Sequence, residues 1–217
     1  MNGLFSTDGP IFRAMSDLLS LFLINILTIV CCLPVVTAGA AFCSMHYCVM
    51  KIQDGEDANV ISMFFEQFKV NFKSITPVWL VYLGTGVLLG FFFRTVSLNQ
   101  TQVSNPVLVI LYVLIAVYVA MFAWLFPMAA RFENSAVAKI KNAILMTVGA
   151  FPQTVGMVAI WVVILFVLSQ SYRLIPLLFV FGLSPPAYLS SFLYYPMIKK
   201  QIERMTTEPE DTESGNP

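Results

Sequence analysis

The sequence predicts an all-α, polytopic membrane protein: a transmembrane helical bundle of about six spans arranged as three hairpins, with two amphipathic helices on the cytoplasmic interface. Three observations carry that expectation. Hydrophobic residues make up 58% of the 217 residues and charged residues only 11%, where a soluble domain carries about 25% charged. Long apolar runs recur along the chain, and Lys and Arg bound them. Those cations fall mainly on one side of the expected spans, as the positive-inside rule requires of a cytoplasmic face. The 12 basic and 12 acidic residues cancel, so no basic field points to nucleic acid. The bilayer is the first partner the composition implies.

The N-terminal stretch does not read as a cleaved leader. Its only charge before Arg13 is Asp8, and the apolar run before Ala38-Gly39-Ala40 is too long for a signal peptide. As one helix, Leu18 to Met50 would be about 50 Å long, against a hydrocarbon core of about 30 Å. Pro34 and Gly39 sit in its middle, and both favour a break. A hairpin follows: one span near 16–35, a turn at Pro34–Gly39 and a short return near 38–53. The return is lean in apolar residues, so a re-entrant or half-buried helix stays open beside a full crossing.

Four later runs, near 75–93, 106–130, 144–168 and 174–198, are each long enough to span. Pro77, Pro127, Pro152 and the Pro185-Pro186 pair interrupt them, and the pair predicts a kink. Six spans place Arg13, Lys51, Lys69, Lys73, Arg131, Lys139, Lys141, Lys199, Lys200 and Arg204 on one side and only Arg94 and Arg173 on the other. Both termini are then cytoplasmic. Five spans would move Arg13 alone, so charge does not separate the two counts.

Two segments between the hairpins read as interfacial. From Asp57 to Lys73, Ile61, Phe64, Phe65, Phe68 and Phe72 repeat at helical spacing, while Asn59, Ser62, Glu66, Lys69 and Lys73 fill the opposite stripe. The expected arrangement puts the phenylalanines into the acyl boundary and lets the lysines snorkel. A weaker copy runs over about 135–143, with Val137, Ile140 and Ile144 on one side and Lys139, Lys141 and Asn142 elsewhere. The bundle thus occupies residues 1–204. Residues 205–217, with Glu208, Glu210, Asp211 and Glu213, show no period and read as a disordered acidic cytoplasmic tail.

Chemistry-bearing residues are few. The four cysteines at 31, 32, 43 and 48 lie in apolar stretches without metal-ligand spacing and read as packing residues. No metal, cofactor or catalytic residue is expected. No phosphate-binding loop, nucleophile elbow or zinc-protease motif occurs in the sequence. His46 is the one titratable group well inside an apolar segment; a histidine bonded to Ser44, Tyr47 or a backbone carbonyl is the plain reading, and a proton relay the sharper one. Pro34, Thr37 and Gly39 form a hinge in which Pro34 ends one helix, Thr37 caps the next, and Gly39 with its alanine neighbours allows close helix approach. Arg131, Glu133 and Asn134 close a helix end, as headgroup anchors or as a bond to another helix. Phe91-Phe92-Phe93 and Tyr194-Tyr195 fit interfacial aromatic belts.

Several of these landmarks resemble the YesL family of bacterial membrane proteins. The match comprises Leu33-Pro34-Val35-Val36-Thr37-Ala38-Gly39-Ala40-Ala41, then His46-Tyr47 and Lys51, Phe64-Phe65, Phe68-Lys69-Val70-Asn71-Phe72-Lys73 and Trp79. A later echo is Phe126-Pro127, Arg131-Phe132-Glu133-Asn134 and Lys141-Asn142-Ala143. The family is one of unknown function whose members are often encoded beside carbohydrate ABC importers. The resemblance implies the bacterial cytoplasmic membrane and an accessory role in sugar uptake, with ABC importer permease subunits as expected partners. The permeases' own Glu-Ala-Ala loop is missing here. Expected function is therefore a non-enzymatic accessory or assembly partner, with Phe64, Phe68, Lys69 and Lys73 among the candidate contacts. The rival is a stand-alone small-solute permease or channel, which the many Gly and Pro breakers favour.

Overall fold

A computed structural model describes residues 10–56, 59–98, 105–132, 136–169 and 182–213. They form seven helices and no strand: α1 (Pro10–Cys32), α2 (Ala38–Gln53), α3 (Val60–Leu98), α4 (Asn105–Arg131), α5 (Ala136–Gly149), α6 (Phe151–Ser169) and α7 (Ser184–Glu213). A single 3-10 turn, Val35–Thr37, joins α1 to α2.

The short helix α2 is the axis of the fold. Twelve of its sixteen residues are buried, from Ala38 to Ile52, and α1, α3, α4 and α7 all pack on it. Small residues make this central position accessible, because Ala38, Gly39, Ala40 and Ala41 let neighbouring backbones come close. Around this axis the interior holds hydroxyls beside large apolar side chains such as Trp124, Phe126 and Met45, and the exterior is apolar as well. Hydroxyls and small side chains face inward, including Thr28, Ser44, Thr147, Thr154, Ser190 and Ser191. Large apolar side chains face outward: Val87, Leu88, Phe91 and Phe92 on α3, Val109, Ile110 and Val113 on α4, and Val162, Val163 and Phe166 on α6. Water would oppose such a surface, whereas acyl chains cover it at no cost, so the protein is a membrane protein.

Among the described residues, α1, α2 with its preceding turn, α3 and α4 are each long and apolar enough to cross a membrane. The α5–α6 pair is a fifth candidate, bent by 97° at Ala150. The expected sixth span, 174–198, lies outside the described residues up to residue 181, and from Ser184 onward it is the first half of α7.

Several expected boundaries move. The interfacial helix at 57–73 is no separate element: Asp57 and Ala58 lie outside the described residues, and from Val60 the helix continues through the next span to Leu98. Nothing between Lys73 and Ile75 interrupts it, and the exposed Pro77 removes only the one bond its N–H would have made to Lys73. The second interfacial helix ends at Gly149 rather than 143, and the span begins at Phe151 rather than 144. Gly149 and then Pro152 in the first turn of α6 set that corner. Pro185 and Pro186 make no kink, because α7 starts at Ser184 and places both in its first turn, where no N–H is required. α7 also runs on to Glu213, across part of the stretch expected to be irregular; extending a helix from a packed turn costs little.

The faces move as well. Phe64 is fully buried and packs with Leu21, Ile24, Met45, Val49 and Ile52, and Phe68 and Phe72 stack behind it with centroids 6.5 and 5.8 Å apart in succession. These rings face the protein, not the acyl boundary; Ile61 and Phe65 are the exposed members of that stripe. On α5, Lys139 is buried and Ile144 is exposed, the reverse of the expected arrangement. Lys139 Nζ donates to Ser74 Oγ at 2.8 Å, and the buried edge continues through Ala143, Thr147 and Ala150. On α5 the polar side chain of Lys139 turns inward, whereas at the start of α3 the polar stripe of Asn59, Ser62, Glu66, Lys69 and Lys73 stays exposed.

Candidate functional site

Three clusters gather the residues singled out in the sequence. The first is the α1–α2 hinge. Pro34 ends α1 and leads into the 3-10 turn. The Thr37 hydroxyl does not cap α2; it is directed back to the carbonyls of Cys31 and Pro34, the latter at 2.7 Å. It thereby closes the end of α1, a stronger need where no water reaches the backbone. Trp79 Nε1 donates to the Val35 carbonyl at 2.7 Å. Gly39 lies against the same indole, with no room for a Cβ.

The second cluster joins the middle of α2 to α7. His46 is buried, and its Nδ1 shares a 3.0 Å hydrogen bond with the hydroxyl of Tyr194. The partner is neither Ser44, which donates to the Ala40 carbonyl, nor Tyr47. Tyr194 and Tyr195 are buried too, so they are not belt residues. Phe91, Phe92 and Phe93 do lie on the outer surface.

The third cluster is the most highly charged. At the end of the bundle where α2, α4 and α7 converge, Asp54 follows the last residue of α2. Its carboxylate accepts from Lys199 Nζ at 2.7 Å and from the Tyr195 hydroxyl, and it lies 3.6 Å from Arg131 Nη2. Tyr195 in turn accepts from Arg131 Nη2 at 2.8 Å. The guanidinium stands over the rings of Tyr47 and Tyr195, at 5.8 and 5.6 Å from their centroids. Lys199 lies 4.5 Å from the Tyr195 centroid, and Lys51 pairs with Glu56 at 2.6 Å. Cation–aromatic contacts of this kind strengthen as water is withdrawn.

Partial burial pushes the Asp54 carboxyl up. The hydrogen bonds from Lys199 and Tyr195, with the charges of Lys199 and Arg131, outweigh that and hold it below the usual carboxylate range. Lys199 is raised by its hydrogen bond to Asp54. Flanking this network, Gln53 Oε1, Arg131 Nε and Gln201 Oε1 are enclosed without a hydrogen-bond partner among the described residues. Arg131 is thus a tie between helices rather than a plain headgroup anchor. Glu133 and Asn134 lie outside the described residues. Lys69 and Lys73 remain exposed on α3 and join none of the three clusters.

Residues to which the sequence assigned no role at these sites complete them. Asp54 and Tyr195 anchor the charged end, and Trp79 fills the hinge. Asn25, fully buried in α1, accepts from the backbone N–H groups of Leu183 and Ser184 at 2.8 and 3.2 Å and so caps α7 from another helix. A lone Asn in an apolar span was the available signal, since a buried amide needs a partner. Tyr82 and Tyr118 exchange hydroxyl-to-carbonyl hydrogen bonds at 2.8 and 2.9 Å, with rings stacked 4.2 Å apart. Beyond that pair, clefts of about 340 and 430 Å³ flank the C-terminal half of α3 and the N-terminal half of α4, lined by Leu, Ile, Val, Phe and Gly with Thr85, Tyr112 and Tyr118. None of their lining residues is charged at neutral pH. Among the described residues no three His, Cys, Asp or Glu side chains gather as a metal set.

No curated protein and no solved structure matches the chain. Residues 21–92, which carry Asn25, the hinge, His46, Asp54, the Phe64–Phe68–Phe72 stack and Trp79, match the family described as "Protein of unknown function, DUF624".

Proposed function

We propose that this chain is a non-enzymatic accessory or assembly partner of a carbohydrate ABC importer, seated in the bacterial cytoplasmic membrane with both termini cytoplasmic. On this reading it is a YesL-type protein, and the charged end of the bundle is its docking face. The observation that carries the proposal is the Asp54–Arg131–Tyr195–Lys199 network, flanked by enclosed atoms of Gln53, Arg131 and Gln201 that have no partner among the described residues. Such a network fixes the ends of three helices and presents a rigid, directional charged surface on a body whose flanks are apolar. The exposed Lys200 follows Lys199 at that end, and Lys69 and Lys73 are exposed on α3. Charge complementarity of this sort supplies register and specificity to a partner at the membrane surface.

The test is purification of the tagged protein in mild detergent from sugar-grown cells, with an Asp54→Asn, Lys199→Gln variant beside it. Importer components travel with the wild type and are lost from the variant. If none accompanies the wild type, the partner reading falls. Liposomes containing this protein alone and showing saturable sugar flux would replace it with the stand-alone permease.

A further inference from the structure

We propose that α1 and α2 form a re-entrant hairpin that enters the bilayer from the charged end of the bundle and turns inside the acyl region without crossing. The inference goes beyond the proposed function and holds whichever compartment the charged end faces.

Helix α3 serves as a ruler. Lys73 and Arg94 bound its uncharged segment, and twenty-one residues at 1.5 Å each separate them by about 32 Å, close to one hydrocarbon thickness. The surface between them carries Leu80, Val81, Val87, Leu88, Phe91 and Phe92, all exposed, so this segment defines the slab. The hinge lies against Trp79: the indole donates to Val35, and Gly39 touches its Cβ. Trp79 is only six residues beyond Lys73, about 9 Å, and it falls short of Arg94 by fifteen residues, about 22 Å. The length of α2 agrees. Its sixteen residues extend about 24 Å, less than a full core, so from a hinge about 9 Å beyond Lys73 it reaches back past the level of Lys73 to Asp54, which pairs with Arg131 and Lys199.

The composition of the turn supports the same depth. Leu33 is 77% exposed, Val35 55% and Val36 47%, and no charged residue occurs between Asp17 and Lys51. A turn at a water interface has no need to satisfy its own backbone, whereas one in acyl chains must. Here the carbonyls of Cys31 and Pro34 meet the Thr37 hydroxyl, the Thr37 N–H returns to Pro34 at 3.0 Å, and the Val35 carbonyl takes the Trp79 indole. The exposed apolar surface of the turn is continuous in kind with that of α3 and α4, and acyl chains are its occupant.

Two measurements test this. In the first, wild-type protein in liposomes is irradiated with a lipid bearing a diazirine near the middle of its acyl chain, and separately with a water-soluble diazirine, and adducts are mapped by mass spectrometry. The lipid reagent is expected to modify the 33–36 peptide as it modifies the Leu88–Phe92 peptide. Modification of 33–36 by the water-soluble reagent alone, or by neither reagent because a second copy covers the turn, overturns the proposal. In the second, Val36→Cys, Leu98→Cys and Glu56→Cys are compared in a background whose native cysteines are replaced by alanine. A membrane-impermeant maleimide should reach Leu98→Cys from one face and Glu56→Cys from the other, and should label Val36→Cys only after detergent is added. Labelling of Val36→Cys from the Leu98 face overturns the proposal; should the cysteine-free background not fold, the wild-type measurement decides alone.

Discussion

Trp79 stands in the space that a side chain on Gly39 would need: a Cβ there would meet the Trp79 Cβ at 2.6 Å and its Cγ at 2.8 Å. Neither atom is the free end of a flexible chain, so the helices must part to admit a methyl group. Gly39→Ala is expected to destabilise the protein by about 1–3 kcal/mol, read as a lower unfolding temperature in detergent. Trp79→Phe removes the donor to Val35 but keeps Cβ and Cγ, so it does not rescue Gly39→Ala. Rescue would show that the contact is softer than the geometry describes.

A second glycine behaves differently. A Cβ on Gly86 would lie 2.3 Å from the Tyr118 hydroxyl oxygen, the same atom that donates to the Tyr82 carbonyl. Tyr118→Phe loses one hydrogen bond, about 0.5–1.5 kcal/mol, and Gly86→Ala loses at least as much by displacing it. Both changes remove one interaction, so the double variant should cost less than the sum of the singles. Additive unfolding free energies would contradict the coupling.

The charged end predicts a pH dependence. Asp54 has a carboxyl held below its ordinary value of 3.8. A depressed carboxyl contributes stability that is present above the unfolded value and is lost as pH falls through the folded one. Asp54→Asn should therefore cost about 1 kcal/mol at pH 7, a figure kept small by solvent screening. The gap between wild type and variant should close as pH drops below 3.8. A gap that persists to lower pH would mean that Asp54 acts through shape rather than charge.

Asn25 caps α7 across 158 residues of sequence. Asn25→Leu preserves volume and removes the acceptor, leaving the N–H groups of Leu183 and Ser184 without it at the helix start. Loss of such a cap costs about 1–2 kcal/mol. Asn25→Asp keeps the acceptor oxygen and should cost less than Asn25→Leu. Equal unfolding temperatures for the two variants would remove the capping role.

His46 and Tyr194 form a buried pair. His46→Ala should cost about 1–3 kcal/mol, because it leaves a buried hydroxyl without its partner, and Tyr194→Phe should cost part of the same energy. A double-mutant cycle with unfolding in detergent as the readout should give a coupling above about 0.5 kcal/mol.

How far the sequence was legible depended on the question. Apolar run length located both ends of α2 and α4 to within one residue and the C-terminal ends of α1 and α6 to within three, because burial in lipid depends on length and composition; it misplaced the starts of α1 and α6 by six and seven residues. It failed at the join of 57–73 to the next span, since Lys69 and Lys73 resembled a boundary and the helix runs through them. It failed on facing at Phe64 and Lys139, because the expectation followed the rule for a helix on water or on an interface. The hinge was legible because Pro34, Thr37 and Gly39 are adjacent, but the partner that makes Gly39 necessary, Trp79, is forty residues away. The charged network was invisible for the same reason: Asp54, Arg131, Tyr195 and Lys199 are ordinary span-end residues until the helices are assembled. His46 was correctly found as a buried bonded histidine, with the wrong partner.

The last packed helix is sewn to the first two. Leu183 and Ser184 reach Asn25, Tyr194 reaches His46, and Lys199 reaches Asp54. During synthesis the N-terminal hairpin must therefore wait in the membrane with the Asn25 carbonyl and the His46 imidazole lacking these α7 partners, and with Asp54 held by Arg131 alone, until Leu183 to Lys199 leave the ribosome. A nascent chain arrested before residue 183 would lack all three ties to α7 at once, and a membrane quality-control protease would meet it as an unfinished product.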